Sequence, residues 1–212
     1  MNQQQEQLDA IRDIRNLMER SSRFSSLSGL AGIIVGIFAL GAIAVAYLVL
    51  GISPLEPGYY SLIQQESAVT GFSRFDLLAA DFGSVLLLSL LTGIYLSVRK
   101  ARKQNLPVWD ATAKRMLLNL FIPLVTGGIY CLILLYQGQP ALVLPATLLF
   151  YGMALLHASK YTLNDIRYLG VLEVALGLIA SFFTDYGLLF WAFGFGILHI
   201  VYGIRIYFKY EQ

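Results

Sequence analysis

Cysteine occurs once in this chain of 212 residues, at Cys131, so an intramolecular disulfide is impossible and no thiolate metal set exists. Cys131 sits in an apolar run and reads as a small buried hydrophobe. Histidine is almost as scarce, with His157 and His199 alone, and no HExxH-type zinc spacing is present. There is also no Walker loop and no G-x-S-x-G. Gly194-Phe195-Gly196 falls inside an apolar run rather than between a strand and a helix, so it has no phosphate-binding meaning. No cofactor is expected. A metal is not expected either; Glu173, His157 and His199 are the weak candidates.

Charge is the largest shortage. Charged residues make up 13% of the chain and apolar residues 57%, whereas a soluble domain usually has about a quarter of its residues charged. Once the apolar runs are set aside, no polar segment exceeds about 27 residues. A separate soluble domain is therefore excluded, and the outer surface of the protein should face lipid.

What charge there is follows a pattern. Fourteen of the fifteen Lys and Arg lie in the N-terminal segment, Arg99 to Arg115, Lys160 to Arg167, and the C-terminal end. Basic residues near span ends remain cytoplasmic, so these four regions should share that side. Only Arg74 falls elsewhere. The net charge of +2 is thus loop charge with a topological cause, and it does not point to nucleic acid.

These observations predict an all-α integral membrane protein: a six-transmembrane-helix bundle with both termini cytoplasmic and an N-terminal amphipathic helix. Residues 1–26 form that helix and a Ser-rich turn. Residues 27–209 form a single domain with spans near 27–52, 75–98, 116–137, 141–159, 167–184 and 188–209. The expected location is a bacterial inner membrane, with the first span an uncleaved anchor.

Along residues 4–24, Leu8, Ile11, Ile14, Leu17 and Met18 recur at helical spacing among charges of both signs. This segment either lies along the cytoplasmic leaflet or docks a cytosolic or membrane partner. The first span carries a small-residue stripe that includes Ser28, Gly32 and Gly36. Such stripes allow close backbone approach, within the bundle or across a homodimer. The outer loop, residues 53–74, suits the headgroup region and has room for a short surface helix.

Four sets of polar residues stand out in the spans. Asp81 lies about two turns inside the second span and shares a face with Arg74, which suggests a snorkelling ion pair or an outward-facing cation site. Pro123 and Gly127-Gly128 should interrupt the third span, because proline deprives the Asn119 carbonyl of its helical donor. Asn119 and His157 fall at one level and could form a polar patch there. Asp110 is placed to cap the helix that follows it.

The last set is the central one. Glu173 and His199 each lie thirteen residues from residue 186, in the turn between the last two spans. At about 1.5 Å per residue they reach matching depth, about 20 Å from that turn, a little past the middle of a hydrocarbon core roughly 30 Å thick. Glu173 belongs to a stripe with Gly170, Gly177 and Ala180; His199 belongs to one with Ala192, Gly196 and Gly203. Contact between the two stripes is therefore expected. Ionisable groups at such depth are functional-site candidates.

Three functions remain open from the sequence. The first is a non-enzymatic regulatory, sensory or accessory subunit with a buried Glu/His pair. The alternatives are a small proton-linked transporter or channel, and an intramembrane enzyme.

Overall fold

The computed structural model describes residues 27–63, 73–105 and 107–211, with Gln5 and Gln7 as isolated positions. Apart from Gln5 and Gln7, the amphipathic segment 4–24 lies outside the described residues. All regular elements among the described residues are helical.

The helices are α1 (Gly29–Leu48), α2 (Tyr59–Ile63), α3 (Arg74–Lys103), α4 (Ala111–Tyr136), α5 (Val143–Ala158), α6 (Asn164–Phe182), α7 (Gly187–Trp191) and α8 (His199–Tyr210). Between α7 and α8 the chain stays helical but widens into a π-helix, Ala192–Leu198. Short 3₁₀ turns occupy Pro140–Leu142, Ser159–Tyr161 and Thr184–Tyr186. Among the described residues, five segments are long and apolar enough to cross a membrane: Gly29–Leu48, Arg74–Lys103, Ala111–Tyr136, Pro140–Tyr161 and Thr184–Tyr210. The last of these joins α7, the π-helix and α8 into one long helix. Of the two helices outside these segments, α2 has five residues, and α6 carries Asp165, Arg167 and Glu173.

Local chemistry explains several boundaries. Asp110 accepts the Ala113 N–H at 2.6 Å and caps α4. Ser73 does the same for α3 through Asp76 N–H. The α4–α5 connection opens with Gly138 at φ +70°, a left-handed position that glycine adopts without penalty. The loop at 53–74 does contain a short helix, α2.

Pro123 corrects one expectation. α4 runs unbroken from Ala111 to Tyr136 through the proline. Gly127 lies directly against Phe150 of α5, while Gly128 faces open space. The lost backbone bond is accommodated within a helix that packs along α5, as membrane helices permit.

Packing divides the helices into two groups. α5 is sandwiched between α4 and α6, and α1 between α3 and the last helix. Within the second group the backbones of Gly29, Gly32 and Gly36 meet those of Gly203, His199 and Gly196. Within the first, Gly152 of α5 fits against Gly170 and Val174 of α6, and Gly177 of α6 against Leu149. The small-residue stripes around Glu173 and His199 therefore do not pack on each other, contrary to expectation. The α6 stripe serves α5, and the last helix's stripe serves α1.

Two polar clusters fasten the end of the bundle that carries the C-terminus. Glu211 accepts the Gly29 N–H and lies 3.2 Å from Lys100 Nζ, which also donates to the Leu27 carbonyl at 2.7 Å. Asp165 is buried and ion-pairs with Arg205 at 2.8 Å and with Lys209 at 2.9 Å. At the opposite end, Gly187 packs against Tyr59 of α2, and Phe82 of α3 stacks on Trp191 at 4.4 Å. There the Asp185 carboxylate holds the Tyr60 phenol above its usual range, through a hydrogen bond and its charge.

Candidate functional site

The two helix groups meet at Glu173. It projects from α6 at 0% exposure, with Gly194 and Leu148 closing over it. A Cβ on residue 194 would lie 2.6 Å from Glu173 Oε2, so only glycine leaves room for the carboxyl group. His199 approaches from the last helix, with Nδ1 3.5 Å from Glu173 Oε1. The structure thus brings these two residues together even though their stripes part company.

A third side chain completes the site. Tyr151 of α5 places its hydroxyl 2.8 Å from His199 Nε2. Tyr151 is absent from the sequence-level site, yet the same depth argument reaches it. Tyr151 and Glu173 each lie eleven residues from Thr162, in the turn that joins their helices.

The hydrogen bonds constrain the imidazole. His199 Nδ1 lies 3.0 Å from the Gly194 carbonyl oxygen, five residues back on the same helix. A carbonyl only accepts, so Nδ1 carries the hydrogen. In the neutral ring, Nε2 then accepts from the Tyr151 hydroxyl; in the imidazolium, Nε2–H donates to it. Either charge state keeps both ring nitrogens occupied.

Glu173 is different. Neither of its oxygens has a hydrogen-bond partner among the described residues. A buried carboxylate without hydrogen bonds is costly, so the pair holds an unspent acceptor beside a donor that is currently given to Gly194.

An aromatic column runs from this site toward the opposite end. Phe195 stacks on His199 at 5.7 Å, Trp191 lies 4.9 Å from Phe195, and Phe82 caps the column on Trp191. Residues 191, 195 and 199 are four apart. The wider π turn brings them closer to one face than an α turn of 3.6 residues would.

The other sequence-level candidates lie apart from this centre. Asp81 is half-buried on α3 beside Phe82, and its Oδ2 accepts no hydrogen bond among the described residues. Arg74 is the first residue of the same helix. Asn119 donates its amide to the Arg115 carbonyl of its own helix at 2.8 Å, and His157 is exposed. The structure does not join Asn119 to His157. Among the described residues, no three His, Cys, Asp or Glu side chains converge as metal ligands, and His157 stands away from the Glu173–His199 contact. Cys131 is a free thiol facing the Val143 carbonyl.

Nearer the C-terminal end, burial acts on Asp165 in the direction that would raise its pKa. Hydrogen bonds from Lys209 and Tyr210 and the charges of Lys209 and Arg205 outweigh it and hold the carboxyl below the usual range. No family model, curated protein or solved structure matches the chain.

Proposed function

We propose that this chain is a six-span inner-membrane protein with both termini cytoplasmic, and that its role is regulatory, sensory or accessory rather than catalytic. α6 serves as the additional span. It is 19 residues long, about 28 Å at 1.5 Å per residue, and it leads from the Asp165 cluster at one end of the bundle to the Asp185 turn at the other.

The observation that carries the functional reading is the enclosure of Glu173. A transporter's ion site or an enzyme's active site must be reached by its substrate. Here the carboxyl group is covered by the backbone of Gly194, by Leu148 and by His199, and Tyr151 and Phe195 lie against the imidazole. A protonatable pair enclosed between two helix groups suits a device that changes helix packing. In this reading residues 4–24 form the partner-binding element; Leu27 and Ser28, which follow that segment in the sequence, lie beside Lys100 and Glu211. The stripe at Ser28, Gly32 and Gly36 is committed to the last helix, so a homodimer through it would have to displace Gly203 and Gly196.

The test is flux through the purified protein in liposomes of phosphatidylethanolamine and phosphatidylglycerol. A trapped pH dye is followed under imposed proton, sodium and potassium gradients. The expected result is no protein-dependent flux. A flux abolished by Glu173→Gln would overturn the reading in favour of a proton-linked transporter.

A further inference from the structure

We propose that Glu173 and the π-helix Ala192–Leu198 form a protonation-gated register switch in the last helix. This rests on the regulatory reading above and supplies its input and its output.

The input is one hydrogen with two acceptors. His199 Nδ1–H is held by the Gly194 carbonyl at 3.0 Å, while Glu173 Oε1 waits 3.5 Å away with no hydrogen bond of its own. When Glu173 is protonated, it has no claim on that hydrogen and the Gly194 bond stands. When Glu173 loses its proton, the buried carboxylate requires a donor. His199 is the one at hand, and the imidazole turns its N–H from Gly194 to Glu173. A charge-assisted bond is the stronger of the two. The proton passes from Glu173 to solvent during transient local opening of the helix packing, and no other covalent bond is made or broken.

The groups that set this balance are few. Tyr151 faces the imidazole from α5, and His199 faces Glu173 from α8. The π-helix and α7 carry no titratable side chain, and Tyr47 of α1 is exposed at the far end of its helix. His157 of α5 is exposed, and Asp165 and Arg167 lie two turns before Glu173 along α6.

The output is helix register. The Gly194 carbonyl lies inside the π-helix, and its bond to a side chain five residues ahead helps to hold the wide turn. Losing that bond favours return to the α geometry, and π turns inside α-helices are frequent at functional sites. Removing one residue's worth of bulge rotates one half of the helix against the other by about 100° and moves it by about 1.5 Å.

The structure also decides which half moves. α8 is tied to Asp165 through Arg205 and Lys209, and the Glu211 carboxylate beyond it is tied to Gly29 and Lys100. α7 itself is held by ring and backbone contacts, Trp191 on Phe82 and Gly187 on Tyr59, with the single Tyr60–Asp185 hydrogen bond in the turn before it. A register change is therefore expressed at α7 and passed to α3 and the surface helix α2. Protonation deep in the bundle is read out at the end away from the C-terminus.

The experiment uses the full chain in nanodiscs of phosphatidylcholine and phosphatidylglycerol. Trp109→Phe leaves Trp191 as the sole tryptophan, and its emission is followed from pH 4.5 to 9.5. A single-proton transition is expected, and Glu173→Gln, which is close in shape, should hold Trp191 at one plateau throughout. A second measurement keeps Glu173 intact. Nitroxides at Leu189→Cys and Phe208→Cys, in a Cys131→Ser chain, report the distance between the two halves, which should shift with the same midpoint as the emission. A transition that survives in Glu173→Gln overturns the proposal, as does a label distance unchanged across the range. If the switch fails while the liposomes show no flux, the regulatory reading stands without it. If flux appears, that reading has failed separately.

Discussion

The backbone of Gly203 lies against that of Gly29. A Cβ on Gly203 would come within 2.8 Å of the Gly29 carbonyl oxygen and 2.6 Å of the Ile33 nitrogen. Both obstacles are backbone atoms that cannot step aside. Gly203→Ala must therefore push α1 and α8 apart, at a cost of about 1–3 kcal/mol, typical of overpacking. Gly41 and Gly128 face open space, and alanine at either should be neutral or stabilise by up to about 1 kcal/mol through helix propensity. Thermal unfolding of the three variants in mild detergent checks the contrast. Equal midpoints would show that the α1–α8 contact is looser than described.

Glu211 places a carboxylate on the first free N–H of α1, where a helix N-terminus favours negative charge, and Lys100 approaches it from α3. Replacement by alanine leaves the Gly29 N–H and the Lys100 ammonium to water or to no partner. The expected loss is about 1–3 kcal/mol, the range for hydrogen bonds to a charged group. Both charged side chains are largely shielded, so the difference from wild type should persist at 0.5 M salt. Denaturant titration at two salt concentrations measures both effects.

Asp165 makes stability depend on pH in a known direction. Its folded pKa lies below the ordinary value of 3.8. The unfolded chain therefore takes up the proton first as pH falls. The contribution of Asp165 is fully present above its unfolded pKa, near pH 4, and is lost as pH falls toward the folded value. Asp165→Asn should lower the unfolding midpoint at pH 6 and narrow its gap from wild type below pH 4. A gap that stays constant between pH 6 and pH 3 would contradict the assignment.

Tyr151→Phe removes the hydroxyl on His199 Nε2 and leaves a buried ring nitrogen unsatisfied. The expected cost is about 1–3 kcal/mol. Because His157→Gln leaves His199 as the sole histidine, ¹⁵N-histidine spectra of the double variant also report the change at Nε2 directly. An unaltered Nε2 resonance would mean that the Tyr151–His199 bond is not made.

Much of the architecture was legible in the chain because a lipid-facing helix advertises itself in one dimension. The long apolar runs became helices, Asp110 capped the helix it precedes, and a short helix formed in the loop at 53–74. Counting also put Glu173 and His199 at one level, since helices joined by a tight turn keep nearly equal residue numbers at equal depth, and the π-helix before His199 leaves the two side chains 3.5 Å apart. The same count about Thr162 reaches Tyr151. Counting fixes depth, however, and says nothing of rotation about the helix axis. That is why Asn119 and His157, level by the same reasoning, remain apart.

The sequence by itself determined the helix-rich, membrane-suited class of this protein, the clustering of its basic residues near helix ends, and the depth of its buried ionisable pair. These follow from hydropathy and rise per residue, which belong to single residues and contiguous windows. Only the tertiary structure decided which glycine stripe serves which neighbour, that the last helix widens at Gly194, and that Glu211 closes on Gly29. Those depend on how closely separate helices approach, whether neighbours in the chain such as those of Gly152 and Gly170 or distant ones such as those of Gly29 and Gly203. That distance is set by the rotation of both helices at once, and no local pattern records it.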